Sequence, residues 1–330
     1  MKLASVLQNR VKRLAVVRDD RIVDIELLLK MLAAPRVPAA FRSAAAALKK
    51  DLSVPPNMTA LLSRGDAWLR NLDRAAAVVC AAPAQSLPKR LLSRQQNARF
   101  CAPIARPGKI VCVGRNYSEH AKEGGSAVTE QPILFLKAAT SVCDPGSPIV
   151  IPRNSTHVDY EAELAVVIGK TGKDIPIERA EKYIAGYTLL NDVSERQMQK
   201  SDGQWFRAKS CDTFGPMGPW IVTRDEISDA GNLRITCTLD GQLMQDSNTS
   251  NLIFKIPFLI SYLSNSITWE PGDILSTGTP AGVGAYRTPP VFLNPGNVVS
   301  VTVEKIGTLT NPVRAPESKS ASSSNSKPAT

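Results

Sequence analysis

The stretch VDYEAELAVVIGK, residues 158–170, decides how this chain is read. Residues 164–168 are all apolar, three of them β-branched, and Gly169 ends the run, which predicts a buried strand. Alternate side chains of a strand point to opposite faces. Leu164, Val166 and Ile168 therefore share one face, and Ala165 and Val167 continue the face of Glu163. Glu161 and Glu163, two residues apart, aim the same way. Two ionised carboxylates side by side and partly desolvated repel strongly, and a cation relieves that repulsion. A third carboxylate, Asp192, closes another apolar run, AGYTLLND. Three carboxylates at the ends of buried strands make a hard oxygen cage suited to Mg²⁺, Mn²⁺ or Ca²⁺ and ill-suited to zinc. The same spacing also arises where acids face solvent or pair with Arg and Lys, so spacing alone leaves both arrangements open.

A second constellation lies upstream in VGRNYSEHAKEGG, residues 113–125, after the strand-like KIVCV. His120 and Glu123 are three apart, and one helical turn brings them together. A carboxylate bonded to one imidazole nitrogen raises the basicity of the other, as a general base requires. The chain's other histidine, His157, sits in NSTHVDY without such a partner and is expected in a loop. Lys209, in WFRAKSCDTFGPMGPWIV, lies between apolar residues and a Gly/Pro-rich turn. It lies at the surface, or neutralises an anionic substrate, or lies near the metal site. The loop STGTPAGVG, residues 276–284, lacks the Lys-Ser/Thr of a phosphate loop. It forms a tight turn, or offers backbone N–H groups and the Thr279 hydroxyl to a carboxylate or oxyanion.

Bulk properties set the frame. The chain has 330 residues, enough for a large domain and a smaller one, and 43% are apolar, ordinary for a packed core. No apolar run approaches a membrane span, and the N-terminus lacks the pattern of a secretory signal. Its first eighteen residues are basic and lack acids, which leaves organellar targeting open beside a cytoplasmic location. Six scattered cysteines without a Cys-x-x-Cys suit a reducing compartment. The net charge of +10 is concentrated in residues 1–100, with 18 Lys/Arg against 7 Asp/Glu. That basicity could draw nucleic acid or anionic metabolites. No zinc-finger, RNP-type or heptad pattern accompanies it, so nucleic acid is not the expected partner.

Texture divides the chain further. LAVVRDDRIVDIELLL reads as a hairpin of two apolar runs around RDD. FRSAAAALKK and ALLSRGDAWLRNLDRAAAVV read as helices. The proline-bearing basic stretch 82–107 reads as a linker. Short strands follow from residue 109: KIVCVG, PILFLK, AELAVVIGK, YIAGYTLLND, PWIVT, LRITCTLDG, DILSTGT and VVSVTVEKIG. SNLIFKIPFLISYLSN reads as a helix that Pro257 interrupts. The Ser-rich tail, residues 317–330, reads as disordered. The division is a small N-terminal α/β domain with its basic linker (1–100), a catalytic domain (101–316) and the tail.

Seven of these segments occur in the order seen in the fumarylacetoacetate hydrolase superfamily, which residues 108–313 resemble. They are VGRNYSEHAKE, PILFLK, VDYEAELAVVIGK, AGYTLLNDVSERQMQ, QWFRAKSCDTFGPMGPWIV, WEPGDILSTGTPAGVG and LNPGNVVSVTVEKIGTL. The opening MKLASVLQNRVKRLAVVRDDRIVDI is similar to the usual start of the family's small N-terminal domain, which weakens the targeting alternative. The resemblance implies an α+β fold, a mixed β-roll core with flanking helices, usually dimeric. Position by position it implies Mg²⁺ or Mn²⁺ on Glu161, Glu163 and Asp192, and a His120–Glu123 catalytic pair as in acylpyruvase-like members. It implies an active-site lysine at Lys209 and substrate contacts at Arg196, Gln199 and Thr279. Two departures, Ala138 for the proline of FLKP and Asn297 for the aspartate of PGD, touch neither constellation.

The activity this implies is metal-dependent hydrolysis of a carbon–carbon bond in a 2,4-dioxo acid such as an acylpyruvate or fumarylpyruvate. In that reaction His120 activates water, Lys209 offsets negative charge, and the metal acts as a Lewis acid. The alternatives are isomerisation of a 2-hydroxydienoate of aromatic catabolism, or decarboxylation of an oxaloacetate-like acid. Each passes through an enolate of a small anionic 2-oxo acid. A non-catalytic binding protein is the alternative of another class, and the intact acids argue against it.

Overall fold

In the computed structural model, which describes residues 1–317 apart from Lys50, Ser126 and Val128, a twelve-stranded mixed sheet forms the spine. Its centre is the segment that opened the sequence reading. Ala162–Ile168 pairs antiparallel with Ile184–Asn191 on one side and with Ile274–Ser276 on the other. Beyond these lie Gly215–Thr223 on one flank, and Ile110–Gly114 and the edge strand Ile133–Lys137 on the other. A five-stranded sheet runs Gln242–Asn248, Arg234–Leu239, Val298–Val303, Gly307–Arg314, Ile149–Val150. Both sheets are open and mix parallel with antiparallel pairs, the α+β architecture expected.

All seven residues of Ala162–Ile168 are buried because the strand is covered on both faces. Leu164, Val166 and Ile168 pack in one core with Ile235, Cys237, Val299 and Val301 of the smaller sheet. Ala165 and Val167 pack in a second core with Leu28, Leu29, Leu61 and Leu72 of the N-terminal helices. Burial of each large aliphatic contributes about 1.5–3 kcal/mol. The N-terminal strand Lys2–Gln8 joins the spine directly, with Lys2 opposite Val222 and Leu3 opposite Ile221.

Several local expectations change. In the N-terminal hairpin, Val11–Arg18 and Arg21–Asp24 pair around Asp19–Asp20, but the second apolar run then divides. Asp24 accepts the Leu27 N–H at 2.9 Å, caps a helix at Ile25–Leu32, and so ends the strand. The stretch 82–107 is no free linker. Leu92–Arg94 pairs with Arg21–Asp24, and Arg99–Cys101 pairs with Lys2–Gln8, so its backbone is held by sheet bonds. Pro257 does not interrupt its helix. The helix spans Ile256–Ser264, and the proline stands in the first turn, where no N–H is needed. Lys2–Gln8, Gln242–Asn248 and Gly307–Arg314 are strands that the sequence reading did not separate. His157 is in a loop, its ring 4.6 Å from that of Phe292. Of the expected disordered tail only Glu317 is described, its carbonyl accepting from Arg153 at 2.6 Å. Residues 318–330 lie outside the described residues. Among the described residues no helix is long and apolar enough to cross a membrane.

Candidate active site

The register of the central strands assembles the carboxylates. Ala162 stands opposite Asn191, so Glu161 and Asp192 fall just past the paired ends, and the Asp192 N–H bonds the Glu161 carbonyl at 2.9 Å. Glu163 is one turn of the pleat further in. Carboxylate oxygens of Glu161, Glu163 and Asp192 all lie within 4.8 Å of one another, and all three residues are buried. Glu163 Oε2 is oriented from behind by the Ser276 hydroxyl at 2.5 Å and the Gly278 N–H at 3.0 Å.

Buried acids need cations, and the site supplies three. Lys209 Nζ lies 2.7 Å from both Glu161 Oε2 and Asp192 Oδ2. Lys137 Nζ lies 2.7 Å from Asp192 Oδ1 and also donates to the Lys209 carbonyl. Arg196 reaches Glu161 through Nη1 at 2.7 Å and Asp159 through Nε at 2.9 Å. The two glutamates consequently part company. Burial pushes both up, but Lys209 and then Arg196 hold Glu161 down to about 2. Glu163 forms no salt bridge among the described residues, and the Ser276 bond and the more distant Lys209 only partly offset its burial. Burial, then the charges of Asp192 and Glu161, push its carboxyl well above the ordinary range. Burial alone would favour a neutral Lys209; Asp192 and Glu161 reverse that and raise it. The donor set is three convergent oxygens without sulfur or imidazole, and its least compensated member is Glu163, which fits a hard divalent cation.

The dyad faces the same space. The helix Ser118–Glu123 places His120 Nδ1 2.9 Å from Glu123 Oε1, leaving Nε2 free of that bond. Glu123 in turn accepts the Gly282 N–H at 3.0 and 3.2 Å. Gly282 has φ +101°, and a Cβ there would lie 2.2 Å from the Met244 carbonyl, so only glycine lets this backbone approach. The STGTPAGVG loop thus does offer N–H groups to carboxylates, but to the protein's own Glu163 and Glu123. Thr279 Oγ1 accepts from Gln245 Nε2 at 2.8 Å.

A cleft of about 340 Å³ unites these groups, lined by His120, Glu161, Glu163, Lys209, Arg196, Gln199 and Thr279 among others. Every expected site residue is at or beside this cleft: Asp192 lies behind the wall with Lys209, and Glu123 behind His120. Sequence reasoning missed Lys137, Asp159 and Arg115. Lys137 had one visible sign, a lysine closing the apolar PILFLK. Asp159 had one too, a third acid in VDYEAE.

The fumarylacetoacetate hydrolase C-terminal domain model matches residues 109–314. The chain belongs to the fumarylacetoacetate hydrolase family. The match holds both cleft constellations and most of both sheets. A mitochondrial oxaloacetate tautomerase of Xenopus laevis is 44% identical over 265 residues, 80% of each chain. The 5-carboxymethyl-2-hydroxymuconate delta-isomerase of Mycobacterium smegmatis is 32% identical with a TM-score of 0.69, covering 96% of this chain and all of that one. A maleylpyruvate hydrolase from Sphingobium, in complex with manganese(II) and pyruvate, is 29% identical with a TM-score of 0.69 over the same shares. Among these relatives, the tautomerase and the isomerase favour the isomerase or oxaloacetate alternative over carbon–carbon hydrolysis.

Proposed function

We propose that this protein is a metal-dependent isomerase that interconverts the keto and enol forms of a small 2-oxo acid, with oxaloacetate as the leading substrate. One observation carries the proposal. His120, backed by Glu123, lines one cleft with Glu161 and Glu163, and Asp192 completes the buried three-carboxylate cage from behind the cleft wall. The tautomerase relative supports the choice of substrate.

The cage would hold Mg²⁺ or Mn²⁺ through Glu161, Glu163 and Asp192, and the bound cation would supply Lewis-acid polarisation of the 2-oxo group. The remaining work belongs to the chain. Lys209 and Arg196 keep Glu161 ionised and aimed at the site. Glu123 fixes the His120 tautomer with the proton on Nδ1, so Nε2 is the basic nitrogen. His120 Nε2 takes the proton from C3, whose electrons form the C2–C3 double bond, and the C2 oxygen then accepts a proton to give the enol. The reverse sequence returns the ketone, with no water consumed and no carbon–carbon bond broken. Gln199 and Thr279 line the cleft beside this path as substrate contacts.

The hydrolysis reading keeps one supporting observation, the likeness to the maleylpyruvate hydrolase. Keto–enol exchange of oxaloacetate, followed by ultraviolet absorbance of the enol with Mg²⁺ present, separates the two. Acceleration without pyruvate formation, and no cleavage of an acylpyruvate, supports tautomerisation. Acylpyruvate cleavage with no effect on the enol would reinstate hydrolysis.

A further inference from the structure

We propose that Arg115 recognises a second carboxylate, so that the substrate is a 2-oxo dicarboxylate and not a monocarboxylate. This deepens the proposed function and rests on it for the position of the first carboxylate at the cage.

The cations of the cleft fall into two groups. Arg196 and Lys209 line it, but both are committed to Asp159, Glu161 and Asp192. Arg115 and Lys200 line it too, and among the described residues no acid pairs with either. Lys200 is exposed, on a flexible stem. Arg115 is half-buried, and its surroundings hold it in place.

Its backbone is clamped on both sides. Gly114 is paired with Ile133 in the sheet. Asn116 is buried and anchored by four bonds. Its side chain accepts the Phe254 N–H at 2.7 Å and donates to the Thr277 carbonyl at 2.7 Å and the Phe254 carbonyl at 3.1 Å. Its carbonyl accepts the Ile253 N–H at 2.8 Å. Between them Arg115 is held at φ +55°, a left-handed conformation that a long side chain adopts at a cost. The guanidinium then lies over the Trp205 ring, 5.8 Å from its centroid. Trp205 is fixed in turn. Its ring packs edge-on to Phe135 at 5.3 Å, and a Cβ on Gly114 would lie 2.4 Å from it. A planar donor fork without an anion, set in the cleft before any ligand arrives, matches a carboxylate in geometry and charge. The clamped backbone and the Trp205 ring narrow where the guanidinium can lie, so less ordering is lost when it binds an anion.

The test is calorimetric titration of the Mg²⁺-loaded protein with malate and with lactate. Both chelate a divalent cation through a carboxylate and a 2-hydroxyl, neither can enolise, and malate differs by its second carboxylate. Wild-type protein should bind malate at least about tenfold more tightly than lactate. Arg115→Met should weaken malate roughly 10–100-fold, the effect of losing one charge-assisted contact, and leave lactate within about twofold. Arg115→Lys should fall between. Lactate binding serves as the control that the variant is folded. Equal losses for the two acids, an unchanged malate affinity in Arg115→Met, or no preference for malate in the wild type would each overturn the proposal. The outcome is independent of turnover. If oxaloacetate tautomerisation is absent while the malate preference and its loss hold, the proposed reaction fails and the role of Arg115 stands.

Discussion

The floor of the cleft and its rim are built on opposite plans. On the floor, three acids and two lysines are buried together, with Arg196 half-buried beside them, and nearly every polar atom has a partner. On the rim, Arg115 and Lys200 carry charge without an acid partner among the described residues, and Tyr286 lies 45% exposed beside the His120 ring, 5.9 Å between centroids. A buried charge left unpaired is expensive, so the floor tolerates few changes. A half-exposed charge costs little, so the rim is free to vary with the substrate. The reading proposed above puts the chemistry on the floor and the choice of acid at the rim. It also says which variants should separate the two.

The largest effect should come from removing the metal. Treatment with EDTA should abolish tautomerisation, and Mg²⁺ or Mn²⁺ should restore it. Full activity in metal-free protein would remove the carboxylate cage from the mechanism. Glu163→Gln should reproduce the loss and show a second sign. A glutamate whose carboxyl is pushed up by burial is ionised more readily unfolded than folded, so above its ordinary range it lowers stability. The amide lacks that cost. The metal-free variant should therefore melt above metal-free wild type, while the upward shift caused by Mg²⁺ disappears. A variant that melts lower without metal would show that the Ser276 and Gly278 bonds outweigh the charge.

Next comes His120→Ala, which should lower kcat by roughly 10²–10⁴ with little change in Mg²⁺ affinity. A wild-type kcat would rule His120 out as the base. Lys137→Met then tests whether the floor is as interlocked as it looks. It strips one of two cations from the fully buried Asp192, and breaking such a pair costs about 3 kcal/mol. Urea denaturation of the metal-free protein measures it. A loss below about 1 kcal/mol would mean that Lys209 alone compensates Asp192.

The division between floor and rim also marks what could be read from the chain. Glu161, Glu163 and Asp192 were legible because strand periodicity aims i and i+2 together and because an acid ending an apolar run is out of place. His120 and Glu123 were legible by helical spacing. Lys137 was hidden because it depends on the pairing of Ile133–Lys137 beside Ile110–Gly114, a register no local pattern shows. Arg115 was hidden for another reason. Its role needs a left-handed backbone and a tryptophan ninety residues later in the chain, and it sits in a motif, VGRNY, read only as the approach to His120. The fold followed a similar line. The central strands were marked by apolar runs and glycines, whereas Leu92–Arg94 and Arg99–Cys101 are three-residue strands in a polar, proline-bearing stretch. Their pairing is decided by edges they meet only in three dimensions, which local composition does not encode.

The smallest expected effect concerns Lys200, a second cleft cation without an acid partner among the described residues. It is exposed on the short helix Arg196–Ser201, at the mouth of the cleft. An exposed ammonium on a four-carbon stem has strong hydration and little pre-organisation, so it adds little to bound-state affinity. It does add to the potential that draws an anion inward, an effect carried by the association rate and screened by salt. Lys200→Gln should therefore lower kcat/KM for oxaloacetate by no more than about threefold at low ionic strength, with kcat unchanged. The difference should vanish above about 0.5 M salt, where the Debye length is only about 4 Å. Arg115→Met should behave differently, because a held, partly desolvated contact is screened far less, and its loss should persist at high salt. Measuring both variants across a salt series separates attraction at a distance from recognition on contact. A salt-independent loss for Lys200→Gln would place that lysine on the bound acid and move the boundary between steering and recognition outward.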